Sequence, residues 1–199
     1  MGRRIGHITV FSFSALLIAA VLPISGQAQT AFVLGGGFAK ECYIAVKAVA
    51  PSRSSRAVCN RALETDVLTA RDSAATLVNR GIISLRDRDG DAALSDFNAA
   101  LRLDPGLSAV FLNRAGAYLL KGRWLDAKVD ADTALRIGLS EDEWAAHFNR
   151  AVALERMGQI NDAFSAFQRA AALAPERAEV RTELARFRVE GARDKSAGG

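Results

Sequence analysis

An internal repeat is the feature that most constrains the fold of this chain. An asparagine–arginine pair begins at Asn79, Asn113 and Asn149, at intervals of 34 and 36 residues. Alanine or phenylalanine follows each pair at constant distances, and turn residues lie in between. Since a unit this short cannot bury its apolar face alone, consecutive units must stack. Each unit is predicted to be a helix, a short turn and a second helix. The matching residues are Ala93, Phe97 and Ala100, then Ala127, Ala131 and Ala134, then Ala163, Phe167 and Ala170.

This pattern resembles the tetratricopeptide repeat family, in which small residues let antiparallel helices approach and a large residue fills the wedge between them. Three units fit the family's scheme, at 74–107, 108–141 and 144–177, although Ala131 departs from it because the family has a large residue there. The resemblance implies an all-α fold, namely a right-handed α-solenoid of antiparallel helix pairs. It also implies that the first helix of each pair lines a concave groove that binds a protein or peptide.

The resemblance places each repeated asparagine and its apolar neighbours in that groove. An amide offers both a donor and an acceptor to an extended peptide backbone. Phe148 is predicted to project into the groove, outside the wedge between helices. The family's clamp for C-terminal carboxylates is not expected, because only Asn113 matches it. The predicted peptide-binding residues are Val78, Asn79, Ile82, Leu112, Asn113, Gly116, Leu120, Phe148, Asn149, Val152 and Arg156.

The arginines of the repeated pairs are predicted to be structural. In the repeat geometry they lie on the side of the first helix that packs against the second. There, Arg80 and Arg114 can each pair with an aspartate sixteen residues further along the chain. The third unit has Ala166 at the matching place, so Arg150 is expected to pair with Asp130 instead.

The flanks of the three units are predicted to cap the stack. Residues 29–73 form a degenerate helical hairpin in which Cys59 registers at the wedge position and Cys42 near the facing small-residue site. In an exported protein, this register predicts a Cys42–Cys59 disulfide. A capping helix is predicted over 178–190, followed by a disordered tail over 191–199.

The first 28 residues have the features of an export signal. Arg3 and Arg4 precede a largely apolar segment, and Ala28 follows where a signal peptidase could cut. Cleavage there predicts a periplasmic or secreted protein that keeps no integral membrane segment. An uncleaved membrane anchor is the alternative.

Composition argues against several classes of function. The chain has 199 residues with 26 basic and 22 acidic side chains, and two of the basic ones lie in the export signal. This near balance calls for no nucleic acid partner. Beyond the signal His147 is the sole histidine, so a histidine-containing zinc site and a Ser-His-Asp constellation both lack their usual parts. No catalytic residue, metal or cofactor is therefore predicted.

The function expected from these observations is that of an exported adaptor or scaffold. It would bind a protein or peptide segment in its concave groove and catalyse nothing. The alternative is a structural or self-associating envelope protein whose groove is filled by its own chain or subunits, which leaves a homo-oligomer open.

Overall fold

A computed structural model describes residues 37–47, 53–139 and 141–187 of the chain. Within these ranges the regular structure is entirely helical, and the prediction of an all-α fold is confirmed. Four helix pairs follow one another, each packed against the next, and a single helix ends the stack. The helices are α1 (Phe38–Lys47), α2 (Arg53–Thr65), α3 (Ala70–Arg86), α4 (Gly90–Leu103), α5 (Ser108–Leu120), α6 (Trp124–Ile137), α7 (Glu143–Arg156), α8 (Ile160–Leu173) and α9 (Ala178–Ala185).

Local turn chemistry sets several of the helix ends. Thr69 and Asp89 precede α3 and α4, and each side chain accepts a hydrogen bond from a backbone N–H of the first turn. Such caps satisfy donors that the helix itself leaves unpaired. Gly122 and Gly158 follow α5 and α7 with φ of 70° and 77°, a conformation that glycine adopts without strain. The two glycines therefore separate the helices of the second and third repeats.

Small residues bring the paired helices together, as the repeat pattern predicts. Phe97 is fully buried, and a Cβ added to Gly81 would lie 2.5 Å from its ring. Alanines replace this glycine in the other two repeats, and both Ala115 and Ala151 are fully buried. The first helix of each repeat therefore packs closely on the second.

The N-terminal hairpin is closed by the predicted disulfide. The sulfur atoms of Cys42 in α1 and Cys59 in α2 are 2.07 Å apart, and their Cα atoms are separated by 4.8 Å. Both cysteines are fully buried. Asp66, which follows α2, accepts a hydrogen bond of 2.9 Å from the Ala39 N–H and so caps the start of α1. The hairpin is thus fastened at both its middle and its open end.

The opposite end of the stack is covered by α9 and the residues that follow it. Phe187 is buried, and its ring centroid lies 5.4 Å from that of Phe167 and 5.8 Å from that of Phe164. The helix ends at Ala185, before the predicted boundary. The last residues of the predicted cap and the predicted tail over 191–199 lie outside the described residues.

The predicted export signal over residues 1–28 also lies outside the described ranges. Within those ranges, no helix combines the length and the hydrophobicity that crossing a membrane would require.

Candidate peptide-binding surface

Most of the predicted groove residues are buried, which corrects the expectation of a groove open along all three repeats. Seven of the eleven expose less than a tenth of their surface. These residues are Val78, Asn79, Ile82, Leu112, Asn113, Phe148 and Val152.

In the first repeat the N-terminal hairpin accounts for this burial. Helix α1 packs against α3 as well as against α2. Val78 and Ile82 consequently lie in one apolar cluster with Cys42 and Val46 of α1. Asn79 is fully buried too, so its amide is turned inward, contrary to the prediction that it faces the groove.

In the second and third repeats the buried residues serve packing within the stack. Asn113 donates its Nδ2 hydrogen bond to the carbonyl of Ala109 at 2.8 Å, one turn back along α5. Phe148 meets the ring of Phe167 edge-on, with centroids 5.5 Å apart. The prediction that Phe148 stands outside the helix–helix wedge is therefore wrong.

Four predicted residues keep part of their surface accessible: Gly116 and Leu120 of α5, and Asn149 and Arg156 of α7. We call this set the α5–α7 face. The two helices contact each other, and Asn149 donates a hydrogen bond of 3.3 Å to the Leu112 carbonyl of α5. The α5–α7 face is what the structure retains of the predicted groove.

The α5–α7 face is apolar at its floor and cationic at its edge. A Cβ added to Gly116 would meet a single neighbouring atom, of Leu85, at 3.9 Å, so a side chain can begin there without a clash. Helix α5 contains no acidic residue. The Arg156 guanidinium lies over the ring of Trp124 at 5.6 Å from the centroid. Such a surface can accept an apolar side chain beside a polar or acidic group.

The arginines of the first two repeats pair as predicted. Arg80 donates two hydrogen bonds, of 2.9 and 2.6 Å, to Asp96 and a third to Asn60. The hydrogen bond to Asp96 raises the pKa of Arg80. An arginine held in this way fastens a repeat internally and to the preceding unit.

The second repeat reproduces the arrangement. Arg114 donates two hydrogen bonds, of 2.6 and 2.9 Å, to Asp130 and a third, of 2.8 Å, to Asn98 of the preceding repeat. Burial raises the pKa of Asp130, whereas the hydrogen bond to Asp130 raises the pKa of Arg114. The pair is thus largely withdrawn from solvent.

In the third repeat the arginine has a different partner from the predicted one. The Nε atom of Arg150 lies 2.8 Å from Oδ1 of Asp132, and not beside Asp130. Asp130 is held by Arg114, while Asp132 occupies the position that Asn98 has one repeat earlier. Asp132 was not predicted as the partner of Arg150, although the repeat spacing aligns it with Asn98, the partner of Arg114.

The described residues contain no group of three or more histidine, cysteine, aspartate or glutamate side chains that could hold a metal ion. The expectation that the protein uses no metal or cofactor stays a prediction.

Comparison with known proteins agrees with this architecture. The tetratricopeptide repeat family matches residues 144–177. Protein unc-45 homolog B of Xenopus laevis is 32% identical over 94 residues, which are 46% of this chain and 10% of that protein. The Xenopus tropicalis protein of the same name is 33% identical over 87 residues, or 42% and 9%. The chain therefore spans about a tenth of the length of these curated relatives.

Solved structures share the fold at low identity. The TPR domain of Arabidopsis OM64 is 20% identical with a TM-score of 0.54, covering 58% of this chain and 93% of that domain. The second TPR domain of human RPAP3, solved with an HSP70 peptide, is 22% identical with a TM-score of 0.53, covering 58% and 95%. The first TPR of Spaghetti, bound to an HSP90 peptide, is 22% identical with a TM-score of 0.52, covering 57% and 88%. The repeat match and the shared fold together support a tetratricopeptide-repeat solenoid.

Proposed function

We propose that this protein is an exported adaptor that binds a peptide or protein segment on the α5–α7 face and has no catalytic activity. The observation that carries the proposal is the room for a side chain at Gly116, together with the accessible Asn149 and Arg156 of the neighbouring α7. An apolar side chain of the ligand would lie over the glycine, with the amide and the guanidinium beside it. Concave sites with an apolar floor and a few polar groups are the usual form of a peptide-binding surface.

Two further observations support this proposal. Two of the similar solved structures were determined with peptides bound. Leu112 and Phe148, which lie on the two helices of the α5–α7 face, are buried and packed within the stack. A preformed surface lowers the entropic cost of binding.

Selection of peptides on the purified full-length chain tests the proposal. A peptide library is panned, and the affinity of the selected peptide is measured by fluorescence anisotropy for two variants. Gly116→Leu fills the floor and Arg156→Glu makes its edge acidic, so each should weaken binding by about tenfold or more. The matched control is Ser95→Asp on the exposed side of α4, which should bind like the unmodified chain. Equal affinity in all three variants would exclude the α5–α7 face.

Export is a separate part of the proposal. We propose cleavage after Ala28, so that the mature N-terminus is Gln29 and the protein is periplasmic or secreted. The intact mass of the protein purified from its native compartment checks this. A mass that retains residues 1–28 would contradict it.

A further inference from the structure

The side of α7 that faces α6 and α8 carries a group of charged and polar side chains with no part in the α5–α7 face. Glu143, His147 and Arg150 follow one another along this side of the helix. Asp132 of α6 lies beside Arg150, and Arg169 of α8 lies 3.6 Å from Glu143. We call these five residues the α7 polar cluster.

The carboxylates of the α7 polar cluster are shared among several cations. Its two arginines and two carboxylates balance in charge with His147 uncharged. Asp132 also serves Lys128, which lies outside the cluster, because its second carboxylate oxygen is 2.7 Å from the Lys128 Nζ, and counting Lys128 brings the sum to +1. In the first two repeats each arginine has an aspartate of its own instead.

Two buried nitrogen atoms of this cluster lack hydrogen-bond partners. They are Nδ1 of His147 and Nε of Arg150, and they are the only such side-chain atoms in the part of the chain that the structure describes. The Arg150 Nε is close to Asp132, but its N–H is not aligned for a hydrogen bond. Its counterparts in Arg80 and Arg114 each donate to an aspartate, for which the third repeat substitutes Ala166. Buried polar atoms without partners are rare and call for an explanation.

We propose that the α7 polar cluster binds a small oxyanion, such as a sulfate, phosphate or carboxylate group, through His147 and Arg150. The anion takes the position of the carboxylate that Asp96 and Asp130 provide in the other two repeats, where the third repeat has Ala166. A guanidinium is the side chain best suited to hold such a group. The Arg150 side chain is 32% exposed, so an anion can approach its guanidinium from solvent although the Nε atom is buried.

Binding at this site should tighten as the pH falls. Burial lowers the pKa of His147, so the free site holds an uncharged ring near neutral pH. The charged groups around the ring are Glu143, Arg150, Arg169 and Asp132. An uncharged imidazole donates from one nitrogen, whereas a protonated ring donates from both. The anion therefore favours proton uptake, and by linkage protonation favours the anion.

Sulfate is a suitable probe, because its charge does not change in this pH range. The imidazole resonances of His147 are followed by NMR in the full-length chain during a sulfate titration in chloride at constant ionic strength, and His147→Gln assigns them. We expect a saturable shift that is at least about fivefold tighter near pH 5.5 than near pH 8. No shift beyond that of chloride, or equal affinity at the two pH values, would overturn the proposal.

Replacing Ala166 tests whether the anion takes the place of an aspartate. Ala166→Asp should weaken sulfate binding by about tenfold or more, since the chain then supplies its own carboxylate. The matched control Ala166→Asn has a similar shape without the charge and should bind like the unmodified chain. Arg150→Gln should also lose binding, which keeps the test valid if Ala166→Asp does not fold. Unchanged sulfate affinity in the folded Arg150→Gln variant would overturn the proposal.

Discussion

The second and third repeats each consist of two antiparallel helices, but different contacts hold the two helices together. In the second, a buried ion pair to Asp130 holds the two helices, and the wedge position next to it is occupied by Ala131. In the third, Phe167 fills the wedge and contacts two other aromatic rings, while Ala166 occupies the position of the aspartate. We call the arginine–aspartate ion pair the polar fastener and the ring in the wedge the aromatic fastener. The first repeat has both, in Asp96 and Phe97.

This difference indicates that either fastener is enough to keep a helix pair in register. An apolar ring in the wedge and a bidentate ion pair beside it act at neighbouring positions, so the loss of one leaves the other in place. In the third repeat, where Ala166 replaces the aspartate, Arg150 pairs with Asp132 instead.

Removing the aromatic fastener should have the largest effect. Phe167→Ala should lower the free energy of unfolding by about 4 kcal/mol, because it leaves a cavity where no ion pair compensates. Urea denaturation measures this change, with Leu125→Ala on the exposed side of α6 as the control. A loss of less than about 1 kcal/mol would mean that the wedge is not what holds the third repeat.

In the N-terminal hairpin a disulfide bond holds the two helices together, which adds a third kind of contact to the comparison between repeats. The bond closes a loop with a sequence separation of 17, which corresponds to about 3 kcal/mol. In the Cys42→Ser, Cys59→Ser variant, we expect hydrogen exchange to speed up in α1 and α2 while α5 to α8 keep their protection. Uniform loss of protection along the chain would show that the hairpin and the repeats unfold as one unit.

Breaking the polar fastener should cost less than removing the ring. Asp130→Ala leaves Arg114 with Asn98 as its remaining described hydrogen-bond partner, and we expect a loss of about 2 kcal/mol. Chemical denaturation measures it, and the exposed Ser95→Ala serves as the control. An unchanged midpoint would show that the second repeat does not depend on the ion pair.

The smallest expected effect is a pH dependence confined to the third repeat. Burial lowers the pKa of His147 in the folded protein, so the unfolded chain binds more protons below the ordinary histidine value of about 6.5. Stability should therefore fall as the pH drops through that value. His147→Phe reproduces Phe111, the matching residue of the second repeat, and should flatten the dependence in denaturation curves. An identical pH profile for both proteins would contradict this role.

The helical plan could be predicted from the sequence because it depends on short-range spacing. Recurring small residues place the helix pairs, and the same register located Cys42 and Cys59 on facing helices. The exposure of the groove could not be predicted in this way. The burial of Val78 depends on how the N-terminal hairpin stacks on α3, and that of Phe148 depends on a ring in another helix. The first is a contact between units and the second is a contact between the two helices of one unit, and the spacing of small residues encodes neither.

Double-mutant cycles on the two arginines test the contrast between repeats most directly. The first cycle removes Arg114 and Asp130 singly and together, and the second does the same for Arg150 and Asp132. We expect a coupling free energy of about 2 kcal/mol for the first pair and less than about 1 kcal/mol for the second, which is more exposed and less well aligned. Equal coupling in the two cycles would contradict the account, because the third repeat would then have a polar fastener as strong as that of the second.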